Sequence, residues 1–328
     1  TSSRLQQALA VESTGSPKKI AEILLWHRRM GHASFGYLKK LFPSLFTNLD
    51  ISIFKCDVCE LAKSHRASFP LILNKSPIPF MVIHSDVWGP SKVPTLGGSH
   101  WFVTFIDDCT RMTWLCLMKS KSEVNFLFQK FYNTIRTQYN ARIQVLRSDN
   151  GGEYHSSELQ QFLDSHGSIH QTSCPDTPQQ NGVAERKNRH LLEVVRASLI
   201  EAHMPLCYWG EALLSAAYLI NRIPSRSINF TTPFQALTEA VITPTVPNLP
   251  PHVFGCVAYV HLPKHQRSKL MPRALKCVFV GYDIHQKGYM CYHPPTKRML
   301  IIIDVVFHED IMYFSKSDFQ GEYLEEIQ

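Results

Sequence analysis

The chain has 328 residues, 44% of them apolar and 19% charged. That is enough for two or three packed cores and excludes disorder as the dominant state. The longest apolar stretches, such as the one around Leu213–Ile220, fall well short of the roughly 20 residues a bilayer requires, and Thr1–Ala10 has no apolar signal core, so no membrane partner is expected.

Lys and Arg outnumber Asp and Glu by 34 to 27, and one segment carries the excess. Between His252 and Ile303, Lys264, Arg267, Lys269, Arg273, Lys276, Lys287, Lys297 and Arg298 face Asp283 alone. A polyanion partner and a plain solvated face both fit that charge. Nine cysteines, most of them single within apolar runs, suit reduced, buried thiols in an intracellular protein. Cys56 and Cys59 alone have ligand-like spacing.

Thr1–Lys19 is polar and reads as a linker. The first residue is Thr, so a piece of a longer translation product is expected. Ile20–Leu41 has helical period broken at Gly31, and Pro70–Pro79 separates this unit from the next. The pattern then turns to strands over Phe80–Val87, Trp101–Ile106 and Met112–Met118, the last two joined as a hairpin through Asp107–Arg111. Ser120 and Glu123 have capping-box spacing ahead of one apolar stripe from Val124 to Tyr139. Ile143–Leu146 predicts a strand ending at Asp149, Ser157–His166 a short helix and Ser168–Ser173 a strand. The loop Pro175–Gly182 leads into helices over Val183–Ala202 and Leu206–Asn221. This order favours a mixed sheet with helices on both faces. Beyond Pro244–Pro251, short strands at Val253–His261, Lys276–Gly281, Tyr289–His293 and Met299–Phe307 predict a small β-barrel or sandwich.

Three acidic residues fall at places suited to metal. Asp86 closes the first strand, Asp149 closes the fourth, and Glu185 lies in the first turns of the long helix. Clustered carboxylates repel one another unless cations lie between them. Hard oxygen donors suit Mg²⁺ or Mn²⁺, and two such ions about 4 Å apart serve phosphoryl transfer. Asp107 and Asp108 read as hairpin residues, Glu153 as a loop carboxylate, and His84, His155 and His170 as structural or solvated.

Thirty-five residues separate Asp149 from Glu185. The flanks are His84-Ser85-Asp86-Val87-Trp88-Gly89-Pro90, Arg147-Ser148-Asp149-Asn150-Gly151-Gly152-Glu153-Tyr154 and Pro178-Gln179-Gln180-Asn181-Gly182-Val183-Ala184-Glu185-Arg186-Lys187-Asn188. Together they resemble the D,D(35)E integrases of copia-type LTR retrotransposons from about Leu25 to His308. The resemblance implies an RNase H-like α/β core with a mixed five-stranded sheet. It implies a small helical zinc-binding domain before that core and a small β-rich, SH3-like domain after it. The implied activity is that of a polynucleotidyl transferase with endonuclease activity, which trims the element's DNA ends and joins them to target DNA. Asp86, Asp149 and Glu185 inherit the Mg²⁺ ligands, and Pro175–Gly182 the active-site loop. A homo-multimer is implied, within a polyprotein that also encodes protease and reverse transcriptase. The expected compartments are the virus-like particle and then the nucleus.

His27 and His32 flank Gly31, whose break in the helix lets both imidazoles turn to one ion. With Cys56 and Cys59 they complete a closed, structural Zn²⁺ site. The quartet is similar to the HHCC domain ahead of integrase cores, including the tail Leu61-Ala62-Lys63-Ser64-His65-Arg66.

The domains expected are 1–19 linker, 20–69 zinc unit, 75–243 core, 252–310 basic β unit and 311–328 linker. On the Glu185 helix, Arg189 lies about 40° and Asn188 about 60° round the axis from the carboxylate, so both face the site and are expected to contact DNA. Arg186 and Lys187 are expected on the outer backbone, and Lys264, Lys269 and Arg273 in the basic tail. Two alternatives stay open. Arg189 pairs instead with Glu185 or Glu193 as a surface bridge, or the chain is a DNA-binding remnant without chemistry. A hydrolytic nuclease on the same fold would need neither zinc unit nor basic tail.

Overall fold

A computed structural model describes residues 17–63, 75–172, 181–242, 248–263, 267–268, 270–283 and 286–315. The expected helical stretch at the start forms α1 (Pro17–Arg29) and α2 (Phe35–Leu41), and α3 (Asp57–Ala62) follows Cys56. The break falls where Gly31 predicts it. Gly31 (φ +60°) and His32 (φ +59°) are both left-handed, so the chain reverses before Ser34 caps α2 through the Tyr37 amide. Ile23, Met30, Leu38, Phe46 and Phe54 form a small core of their own, which also takes in Ile223.

The central sheet holds β1 (Val82–Trp88), β2 (Trp101–Asp107), β3 (Thr113–Met118), β4 (Val145–Ser148) and β5 (Ile169–Thr172) in the order β3-β2-β1-β4-β5. The β1–β2 and β2–β3 pairs are antiparallel. The β1–β4 and β4–β5 pairs are parallel, so β1 lies at the centre and the C-terminal ends of β1 and β4 lie side by side. Side chains alternate between the faces. Ile83, Val103 and Phe105 pack against α4 (Val124–Gln138) and α5 (Ser157–Ser165). Phe102 packs against α6 (Gly182–Ala202) and α7 (Trp209–Ile220). The capping box at Ser120 and Glu123 is present. A further helix, α8 (Pro233–Ala240), is absent from the sequence-level reading, although Thr232 and Gln235 form a second capping box at its start.

The second sheet is antiparallel throughout. Its strands β6 (Cys256–His261), β7 (Ala274–Tyr282), β8 (Tyr289–His293), β9 (Arg298–Ile302) and β10 (Val305–Met312) run in the order β10-β6-β7-β8-β9. The single strand expected over Met299–Phe307 is in fact two. β-branched residues on both sides of the turn at Ile303 and Asp304 make the stretch read as continuous. The boundary expected at 310 also moves, because β10 runs on to Met312 and the Tyr313 amide bonds the Gly255 carbonyl at 3.0 Å.

The three units share α6 and α7. A Cβ on Gly31 would lie 2.8 Å from Val194 of α6, and one on Gly255 only 2.2 Å from Ala202 at the other end of that helix. Glu309 of β10 accepts from Arg29 Nε at 2.6 Å and pairs with His252 Nδ1 at 2.6 Å. Burial alone would raise the Glu309 carboxyl, but these bonds outweigh it and hold its pKa below the usual range. Gly255 also has φ +81°. Gly255→Ala therefore combines backbone strain with a clash and is expected to destabilise the protein by about 2 kcal/mol or more, measured by denaturant unfolding.

Candidate active site and zinc centre

Asp86 does not close the first strand as expected: β1 runs on through Val87 to Trp88. Asp86 lies in β1 opposite Thr104 of β2, and Asp149 directly follows the parallel neighbour β4. Glu185 stands exposed in the first turn of α6, which packs on β1. Burial first, and then the charges of Asp149 and Glu185, push the Asp86 carboxyl up to about 7. None of the three carboxylates has a salt-bridge partner among the described residues.

Each carboxylate segment is held locally. Asp86 Oδ1 accepts from the Val87 amide at 3.0 Å and Oδ2 from Asn188 Nδ2 at 2.9 Å. Thr104 Oγ1 in turn donates to Asn188 Oδ1 at 2.9 Å. Asp149 Oδ1 accepts from the Gly151 amide at 3.1 Å. Ser148, buried beside it, has its hydroxyl 2.9 Å from His170 Nε2.

Two expected DNA contacts need correction. Asn188 does face the site, but it is 4% exposed, with Nδ2 donating to Asp86 and Oδ1 accepting from Thr104, so its role is to orient a carboxylate. Lys187 is not on an outer face. It is half-buried, and burial followed by the Arg111 guanidinium pushes it down to about 8. The periodicity gave the angle round α6 but not what covers it. Arg186 is exposed, with its guanidinium folded back 2.9 Å from where a Gly182 Cβ would lie. Arg189 is exposed and forms no bridge to Glu185 or Glu193. Arg273 is exposed at the entry to β7. Lys264, Lys269, residues 175–180 of the expected active-site loop and residues 64–66 of the expected tail lie outside the described residues.

The lesser acidic candidates are structural, as expected. Asp107 is fully buried and accepts from Phe80 N, Thr110 N and Thr110 Oγ1. Asp108 binds His84 Nε2 at 3.0 Å and Arg111 Nη1 at 2.8 Å. Glu153 pairs with Lys121 at 3.2 Å.

At the other site, His27, His32, Cys56 and Cys59 bring one ligand atom each within 4.8 Å of one another. Among the described residues, no other group of three or more His, Cys or carboxylate donors gathers this way. His27 Nε2 lies 3.2 Å from His32 Nδ1 and 3.3 Å from Cys59 Sγ, and Cys56 Sγ lies 3.5 Å from His32 Nδ1. Ligand atoms about 2.0–2.3 Å from a tetrahedral Zn²⁺ would be spaced in this way. His27 Nδ1 is 2.8 Å from the Ala33 carbonyl, which leaves Nε2 unprotonated toward the cluster. Burial lowers the His32 pKa and keeps its ring neutral. A hydrogen bond from the Cys59 thiol favours the Cys56 thiolate, so the Cys56 pKa falls. The donor set fits zinc.

Three family profiles match the chain in order. They are a GAG-pre-integrase domain over residues 2–64, an integrase core domain over 76–178 and a retroviral polymerase SH3-like domain over 256–321. The second of these matches defines the central unit as an integrase core. Among curated proteins, the retrovirus-related Pol polyprotein from transposon TNT 1-94 of Nicotiana tabacum is 40% identical over 87% of this chain and 21% of its own length. The Pol polyproteins from transposons RE2 and RE1 of Arabidopsis thaliana are each 36% identical, over 94% and 92% of this chain and 21% and 20% of their own lengths. The chain thus spans about a fifth of the polyproteins it matches. Among solved structures, the HTLV-2 integrase catalytic core domain in complex with magnesium is 18% identical, with a TM-score of 0.36 over 48% of this chain and 97% of that one. The chain is similar to the integrase region of retrotransposon Pol polyproteins, with the three matched domains in the same order.

Proposed function

We propose that this integrase is an active DDE-type polynucleotidyl transferase that trims the ends of its element's DNA and joins them to target DNA. The observation that supports this reading is that Asp149, after the strand parallel to β1, and Glu185, at the start of the helix packed on β1, lie near enough for their charges to raise the Asp86 carboxyl, with no salt bridge to any of the three among the described residues. Such a donor set suits Mg²⁺ or Mn²⁺, held by these three residues. When bound, the ions supply activation of the attacking oxygen and charge stabilisation of the leaving one. Asn188 fixes one oxygen of Asp86, and the Gly151 amide fixes one of Asp149. The remaining carboxylate oxygens are left to face the ions.

Zn²⁺ at His27, His32, Cys56 and Cys59 is read as structural, since four protein donors close its coordination. The partners proposed are the element's ends and target DNA, with a homo-multimer as the working form. Action on genomic DNA calls for the nucleus, after a stage in the virus-like particle. Processing within a polyprotein accords with the relatives' own descriptions. The intact triad favours this reading over a remnant that merely binds DNA.

The direct test is purified protein with Mg²⁺ and a short duplex carrying the element's ends, scored for joined product. Joined product that needs both metal and end sequence is the expected result; its absence under all metal conditions returns the remnant reading. Arg189 is exposed one turn beyond Glu185 and in no salt bridge among the described residues, which supports a contact with phosphate near the scissile bond. Arg189→Ala is expected to lower joining of cognate ends by about tenfold, roughly one lost charged contact. Affinity for unrelated duplex should fall less, as read by gel shift.

A further inference from the structure

Ser85 is fully buried and turned away from Asp86, toward the face covered by α4. It cannot touch DNA or a metal ion at the carboxylates. Three segments of the site nevertheless meet at it. Covalently, Ser85 precedes Asp86. Its hydroxyl lies 2.7 Å from the Tyr154 hydroxyl, and Tyr154, 2% exposed, closes the single turn Gly152–Tyr154 just after Asp149. Its carbonyl accepts from Asn181 Nδ2 at 3.2 Å. Asn181, 1% exposed, is the residue from which α6 starts, one turn before Glu185.

We infer that Ser85 is the positioning residue that sets the spacing of the three carboxylates, through Tyr154 on the Asp149 side and Asn181 on the Glu185 side. This rests on the proposal that those carboxylates share divalent metal. Adjacent parallel strands fix only the heights of Asp86 and Asp149 along the sheet. The β1–β4 ladder pairs Val82–His84 with Val145–Arg147 and ends before Asp149. The Tyr154–Ser85 bond supplies a tie from inside the core, and the Asn181–Ser85 bond does the same for the start of α6. A displacement of about 1 Å in such a constellation costs on the order of 10²-fold in function, so the tie matters beyond its share of stability.

The test uses the full chain, zinc-loaded, with Mn²⁺ as the probe and its binding read by electron paramagnetic resonance of the free ion. Tyr154→Phe removes one oxygen, and Ser85→Ala removes its partner. Each is expected to raise the Mn²⁺ concentration for half-saturation by about tenfold or more. Melting temperatures should stay within about 4 °C of the parent. The double variant should lose no more than either single one, because both remove the same bond. Asp149→Asn is the control and should abolish the tight Mn²⁺ site. Should Ser85→Ala not fold, Tyr154→Phe alone decides. A lowered melting temperature with an unchanged Mn²⁺ titration in Tyr154→Phe overturns the inference, because a purely structural bond would behave that way. Losses that multiply in the double variant also overturn it. If Asp149→Asn itself titrates like the parent, the metal reading of the triad fails first, and the inference about Ser85 falls with it.

Discussion

Replacing Asp149 by Asn is expected to bring end processing and joining to background. The loss should be ~10³-fold or more, about 4 kcal/mol of transition-state stabilisation. The substitution keeps the volume, and the amide oxygen can still accept from the Gly151 N–H that Asp149 Oδ1 now binds, so the segment after β4 should keep its course. What is lost is one negative charge among three that have no cation paired to them among the described residues. Circular dichroism and affinity for duplex DNA should therefore stay near their original values. Joining assays with labelled ends check the prediction, and near-normal joining by Asp149→Asn would remove this residue from the metal set.

Removing zinc should have the largest effect on folding. The N-terminal unit has a small core that includes Ile23, Met30, Ala33, Leu38, Phe46, Leu49 and Phe54, and a unit of about fifty residues gains little margin from apolar burial alone. Structural zinc contributes an apparent 10–16 kcal/mol, about the range found for small zinc-dependent units. A strong chelator should then unfold 17–63, while the central sheet keeps its protection in hydrogen exchange. Protein purified without chelator should carry one zinc per chain by metal analysis. Cys59→Ser should reproduce the chelated state. Zinc-free protein that keeps full amide protection in α1 to α3 would contradict this account.

Much of this organisation was legible in the sequence because its signals are local. The capping box at Ser120, the break at Gly31 and the C-x2-C at Cys56 act within a few residues, and each falls where its chemistry requires. The carboxylate spacing was legible through its resemblance to the D,D(35)E pattern. What escaped depends on partners far apart in the chain. Asn188 was placed correctly in angle, but its bond to Asp86 and the Thr104 behind it depend on the β1–β2 register. Lys187 read as exposed because helical periodicity does not record what packs over a helix start. Ser85 showed nothing in sequence, since its partners Tyr154 and Asn181 lie 69 and 96 residues away. The missed α8 is a different case. Thr232 and Gln235 signalled it, but a helix of eight residues has too few turns for a clear stripe.

The 21-residue α6 bears on where the chain can be divided. It meets the zinc unit through Val194, the second sheet through Ala202 and the active site through Glu185 and Asn188. The core around α6 and α7 takes in Val278 and Val280 of β7 alongside Leu213 and Ala216. The proline-rich junction ahead of the second sheet is thus a covalent boundary without being a thermodynamic one. A fragment trimmed to the central sheet alone would turn the apolar flank of α7 out to water, where its most favourable fate is self-association. The smallest soluble unit for biochemical work should therefore keep both flanking units in place.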